Sequence, residues 1–329
     1  MLQKIRNFFG SLFPAAQPAP APSAAPEPAA IVTRRVLMIV FDPVMNSQTG
    51  ERLSARMKWR APEALAASFL TDILEASGGL ARYQVTQRID APEFPVKADG
   101  FRYTPQSYLA VLADPRSAHT PDLVDYNALL AQHGVLQKIN RNEIDEVWLF
   151  GFPFAGCYES VMGGPGAFWC NSNPLQGAPA NAARRFVVMG FSYERGEGEM
   201  LESFCHRVES VMERVFLGSK PQANLWQKFT RYDKQFPGQA ECGTVHFAPN
   251  SQQDYDWNNA TPVPSRCDDW YNFPNFRGAV KTVTAADWGS GDMRAHHLWW
   301  LKHLPKAAGR SNGIANNWWQ YVMDVNRVR

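Results

Sequence analysis

Between Gly196 and Gly218, five polar side chains recur three or four residues apart: Glu199, Glu202, His206, Glu209 and Glu213. At about 100° per residue they fall within one strip of a helix, four carboxylates and one imidazole. Like charges at this spacing repel by about 0.2–0.5 kcal/mol per pair unless a cation intervenes. Arg207 and Arg214 have no acid three or four residues away and so belong to another flank. The strip therefore faces water, meets basic residues from elsewhere, or holds a metal. Glu199 is accounted for by the helix N-terminus alone. His206 and Glu209 form His-x-x-Glu, an imidazole and a carboxylate one turn apart, which is a two-ligand start for zinc. The nearest downstream imidazole is His246, the expected third ligand, with Asp42, Glu202 and Asp254 in support. A metal-bound water would then be the nucleophile and Glu159 or Glu194 the general base.

These residues need a scaffold. Leu201, Phe204, Val208, Val211 and Val215 repeat at helical spacing on the opposite side of the strip, so the helix docks on a core. Upstream, residues 35–41 form a continuous apolar run of strand length. They are followed by a helix over 62–76, with Pro at its first turn, and an alternating strand over 83–89. Helices over 105–113 and 121–142, with a break near Gly134, lead to the runs 146–150 and 185–191. Alternating strands and helices predict an α/β domain over 32–218, a largely parallel sheet flanked by helices. In such sheets ligands sit beyond the carboxyl ends of the strands, where Asp42, Glu159 and Glu194 follow the three apolar runs. The long loop over 151–179, with Phe168 and Trp169, is expected as a wall over those ends or as a packed structural loop.

The chain has 329 residues, 45% of them apolar, enough for a sizeable core. A net charge of +2 without a long Lys/Arg block gives no reason to invoke nucleic acid. Residues 1–13 read as an amphipathic or disordered leader able to touch a membrane surface, and 14–31 as a Pro/Ala-rich linker. Five cysteines lack any Cys-x-x-Cys spacing, which disfavours a cysteine zinc cluster. In an exported chain, Cys157 with Cys170 and Cys242 with Cys267 would close loops and leave Cys205 odd; reduced thiols are the alternative. Residues 219–329 are irregular and rich in Trp, and are expected to pack back on the α/β core. Trp299, Trp300 and Trp318, with Trp169, offer a stacking surface for substrate, or serve as packing residues whose indole N–H groups need partners.

The segments 145–151, 164–171, 204–210 and 246–257 together resemble an uncharacterised bacterial protein family, some members of which are exported. That resemblance covers most of residues 32–326 and implies no activity. His206-Arg-Val-Glu209 is separately similar to the zinc motif of carboxypeptidase-type metallopeptidases and related deacylases, which also use an α/β fold and a later His. In those enzymes the motif lies at a loop, whereas here it falls within a predicted helix. The expectation is a zinc-dependent hydrolase of a peptide, amide or ester-type bond. A metal-free glycosidase or glycan-binding protein, with Glu159 and Glu194 as its carboxyl pair, and a non-catalytic envelope protein are the alternatives.

Overall fold

The computed structural model of the protein describes residues 29–329; the leader expected at 1–13 and most of the linker lie outside them. In chain order, β1 (Val32–Phe41) is followed by the hairpin β2 (Val44–Asn46) and β3 (Glu51–Arg52), then α1 (Leu53–Met57), α2 (Pro62–Ala76) and β4 (Ala81–Ala91). Helices α3 (Pro105–Ala113), α4 (Tyr126–Gln132) and α5 (Val135–Asn140) lead into β5 (Glu146–Gly151), β6 (Ser160–Gly163), β7 (Phe186–Ser192) and α6 (Glu197–Val215). The remainder holds short elements: α7 (Leu225–Phe229), β8 (Val263–Ser265), β9 (Lys281–Val283), α8 (Met293–Lys302), β10 (Lys306–Ser311), β11 (Ile314–Asn317) and α9 (Trp319–Met323).

The main sheet runs β4-β1-β5-β7-β6. Its first four strands are parallel and β6 is antiparallel to β7. All six residues of β5 are buried, as expected of a central strand covered on both faces. The protein is therefore α/β with a mostly parallel sheet. Strand β6 arises inside the segment read from sequence as a loop, where four residues gave too short a pattern to register. The break at Gly134 is real: it takes a left-handed φ of 62° and caps α5, which separates that helix from α4.

Helix α6 lies against α2, β7, α8 and α9. Leu201, Phe204, Val208 and Val211 are fully buried, as the periodicity predicts. Arg207 is buried too, and its partners come from the sheet and from α9 rather than from its own helix. One guanidinium nitrogen sits 2.7 Å from Glu146 Oε1 and donates to the Tyr83 hydroxyl at 3.1 Å; the other donates to the Val322 carbonyl at 2.8 Å. Trp148 Nε1 donates to the same Glu146 carboxylate at 3.0 Å. This buried network fixes the rotation of α6 about its axis, and with it the direction in which His206 points.

The aromatic-rich C-terminal region is part of the core. Trp226 and Phe229 stack on one another, and with Trp270, Trp300 and Trp318 they make edge-on and tilted contacts with centroids 5.1–6.0 Å apart. The abundance of tryptophan after residue 220 therefore serves packing, in a region with too little regular structure to build a core from aliphatic stripes.

Of the two disulfides considered, one forms. Cys242 and Cys267 are bonded, whereas Cys157 and Cys170 are free, as is Cys205. The bond joins residues 25 apart, and loop-closure entropy predicts that it adds about 3.5 kcal/mol. Replacing both residues by Ser is expected to lower the free energy of urea unfolding by roughly that amount, and unfolding with reductant present should match it. Identical midpoints with and without reductant would show that the cross-link adds nothing.

Candidate metal centre

The polar strip of α6, largely covered and open to solvent only at Glu213, faces the loop that carries His246, Asp254 and Tyr255. Their ring nitrogens and oxygens converge. His206 Nε2 lies 3.1 Å from His246 Nε2, and His246 Nε2 lies 3.2 Å from Glu202 Oε1. The Tyr255 hydroxyl donates to Glu202 Oε1 at 2.8 Å and stands 3.0 Å from His246 Nε2. Behind this quartet, each imidazole is backed by a carboxylate. His206 Nδ1 is 3.1 Å from Glu209 Oε2, and His246 Nδ1 is 3.0 Å from Asp254 Oδ1.

That backing decides the chemistry of the front. A carboxylate at Nδ1 draws the ring proton to that nitrogen, leaving Nε2 of a neutral imidazole with a lone pair. Two such lone pairs facing each other at 3.1 Å repel unless a proton or a metal ion lies between them. Ligand atoms about 2.05 Å from a tetrahedral zinc are separated by about 3.3 Å, close to the spacings here. A carboxylate behind each ligating histidine is the outer-shell arrangement that orients such rings and raises their basicity.

The surrounding carboxylates favour positive charge here, whether carried by a proton or by a metal ion. Burial pulls the His206 imidazole down, but Glu209 and the charge of Glu159 outweigh it and leave its pKa raised. The hydrogen bond to Glu202, opposed by burial and helped by Asp254, raises His246. Burial would raise the Glu202 carboxyl, yet its bonds to His246 and Tyr255 hold it below the ordinary carboxylate value. Glu202, His206 and His246 offer ligand atoms all within 4.8 Å of one another. Cys242, Cys267 and His303 are as close, but both sulfurs are spent in the disulfide and supply no thiolate.

Beyond β5 and β7, at their carboxyl ends, lies a cleft of about 290 Å³, lined in part by Gly151, Phe152, Glu159, Ser192 and Ser203; none of the four converging side chains lines it, and Glu159, whose charge acts on His206, links the two. Glu159 is held by Asn171, whose side-chain amide donates to Oε2 at 2.6 Å, while the Asn171 N–H donates to Ser210 on α6 at 3.0 Å. The expected wall over the strand ends is thus pinned to the site helix. Gly190 permits the approach: a Cβ there would collide with the Tyr158 carbonyl, and its N–H donates to the Glu159 carbonyl at 3.0 Å.

Several expected positions need correction. Glu209, anticipated as a ligand, has one oxygen on His206 Nδ1, and its other oxygen accepts the Val245 N–H at 3.0 Å, so it orients His206. Glu202, anticipated as support, supplies the carboxylate at the Nε2 face. Glu194 is exposed beside Arg195, 3.8 Å away, and is not among the residues of the cleft. Asp42 accepts the Ser54 N–H at 2.9 Å and its hydroxyl at 2.6 Å, which completes the turn after β1. Trp300 and Trp318 are fully buried and Trp299 partly so, against Trp288 and His303, so they form no stacking surface; Trp169 remains exposed.

Tyr255 was not anticipated. It is half-exposed, and its backbone has a left-handed φ of 57°, unfavourable for a bulky residue, which presents the phenol to the cluster. Its tell in the sequence is only adjacency to Asp254. Comparison with protein-family models, with curated proteins and with solved structures finds no match.

Proposed function

We propose that the protein is a metal-dependent hydrolase, with zinc as the ion and a peptide, amide or ester-type bond as the target. The observation that carries this reading is the pair of Nε2 atoms 3.1 Å apart, each ring backed at Nδ1 by a carboxylate. His206, His246 and Glu202 would hold the ion and leave a position for water, with the Tyr255 hydroxyl beside it as a hydrogen-bond donor. Bound there, zinc supplies Lewis acidity and lowers the pKa of water. Glu159, steadied by Asn171 and open to the cleft, would accept the proton. Tyr255 can donate a hydrogen bond to developing negative charge, and the cleft, walled by Phe152 and Met200, receives a small substrate. The burial of Trp300 and Trp318 weighs against the glycan reading.

Metal analysis of protein purified without a polyhistidine tag should find about one zinc per chain. A panel of peptide and ester substrates should reveal hydrolysis that is lost on chelation and restored by zinc. Glu159→Gln should keep the metal and lower kcat by about 10²-fold. Absence of bound metal, together with a melting temperature unmoved by chelator or by added zinc, would sink the proposal.

A further inference from the structure

The last turn of α6 opens on a second pocket, of about 370 Å³, that the hydrolase reading does not use. Four of its lining side chains are arginines: Arg214, Arg310, Arg327 and Arg329. Arg185 adjoins them, since its guanidinium and that of Arg214 both lie over the Phe168 ring, 5.6 and 5.8 Å from its centroid. Among the described residues, the carboxylate paired with this group is that of Asp324, 3.3 Å from Arg327 and shared with Arg34 at 3.4 Å. Among the described residues, Arg214, Arg310 and Arg329 have no carboxylate within ion-pair distance. The carbonyl end of α6 offsets part of one charge. Burial and the nearby Arg214 also push Arg185 below its ordinary pKa, as expected where cations gather without anions.

A chain with a net charge of only +2 thus concentrates positive charge at one concave place. Guanidinium is the group best suited to pair with phosphate oxygens through two parallel hydrogen bonds. Apolar side chains, Val215, Leu217, Ile314 and Val328, line it beside Tyr321, and Leu217 is 70% exposed. We infer that this arginine-lined pocket binds a soluble phosphorylated small molecule, its phosphates on Arg214, Arg310 and Arg327 and its less polar body against Leu217 and Ile314. The inference is independent of the metal reading.

The test uses the full chain carrying His246→Ala, in chelator, so that no phosphate can report on a metal. Isothermal titration with inorganic pyrophosphate and with ADP should show saturable binding of one equivalent, weakened by added salt. Arg214→Gln with Arg310→Gln should weaken it by about tenfold or more. Both side chains are exposed, so the unliganded melting temperature should not move. If that double variant does not fold, Arg310→Glu on the β10–β11 hairpin makes the same test. Failure of both ligands to saturate, binding unchanged by the arginine substitutions, or binding only to anionic lipid vesicles would each overturn the inference.

Discussion

His246→Ala is expected to bind zinc about two orders of magnitude more weakly than the wild type, and Glu209→Gln about tenfold more weakly. Structural zinc sites bind with about 10–16 kcal/mol, so one ligand of four carries roughly 3 kcal/mol, which is about a hundredfold. Glu209→Gln leaves both Nε2 atoms in place and removes only the charge that orients and polarises His206, for which about 10–100-fold is usual. Competition against a chromophoric chelator measures both. Equal affinity in all three proteins would mean that zinc binds elsewhere. The proton offers a further check, because metal and proton compete for the same lone pairs. Both histidines have folded-state pKa values above the unfolded value. In metal-free protein their contribution to stability is therefore fully present below about pH 6.5 and lost as pH rises through the folded values. With zinc the trend reverses, since the ion requires neutral imidazoles. Melts at pH 6 and pH 8.5, with and without zinc, should cross; parallel trends would contradict the assignment.

Arg207→Met is expected to destabilise the fold by about 3–5 kcal/mol, because it leaves the Glu146 carboxylate buried without its cation. Adding Glu146→Gln should recover much of that loss, since the remaining amide can still meet Tyr83 and Trp148 as a neutral partner. Urea denaturation of the two single variants and the double variant closes the cycle. Additive losses would show that the two residues are not coupled.

The scaffold was readable because periodicity reports burial directly: the apolar arc of α6, the continuous run of β1 and the proline start of α2 each have a pattern long enough to count. The site was readable only in part. Helical spacing put Glu202, His206 and Glu209 on one strip, and His246 stood out as an available imidazole. Which carboxylate meets Nε2 and which meets Nδ1 depends on side-chain rotamers and on the rotation of α6, which is held by the pairing of Arg207 with Glu146, a residue far from it in the sequence. Tyr255 depends on a loop conformation that carries no periodicity. Tryptophan misleads for another reason, since its composition is the same in a binding platform and in a core, and only the neighbours decide.

The short edge between the two imidazole nitrogens also bears on which ion the proposed centre would take up. Calcium and magnesium are hard cations that seek six or more oxygens, and two nitrogen donors so close together serve them poorly. The late first-row transition ions remain, and for nitrogen donors copper(II) outranks zinc in intrinsic affinity. A centre of this composition cannot reject copper by donor chemistry alone. Under the proposed function, which ion would fill it depends on the supply around the protein as it folds, and on how firmly α6 and the Tyr255 loop hold a tetrahedral rather than a flattened arrangement.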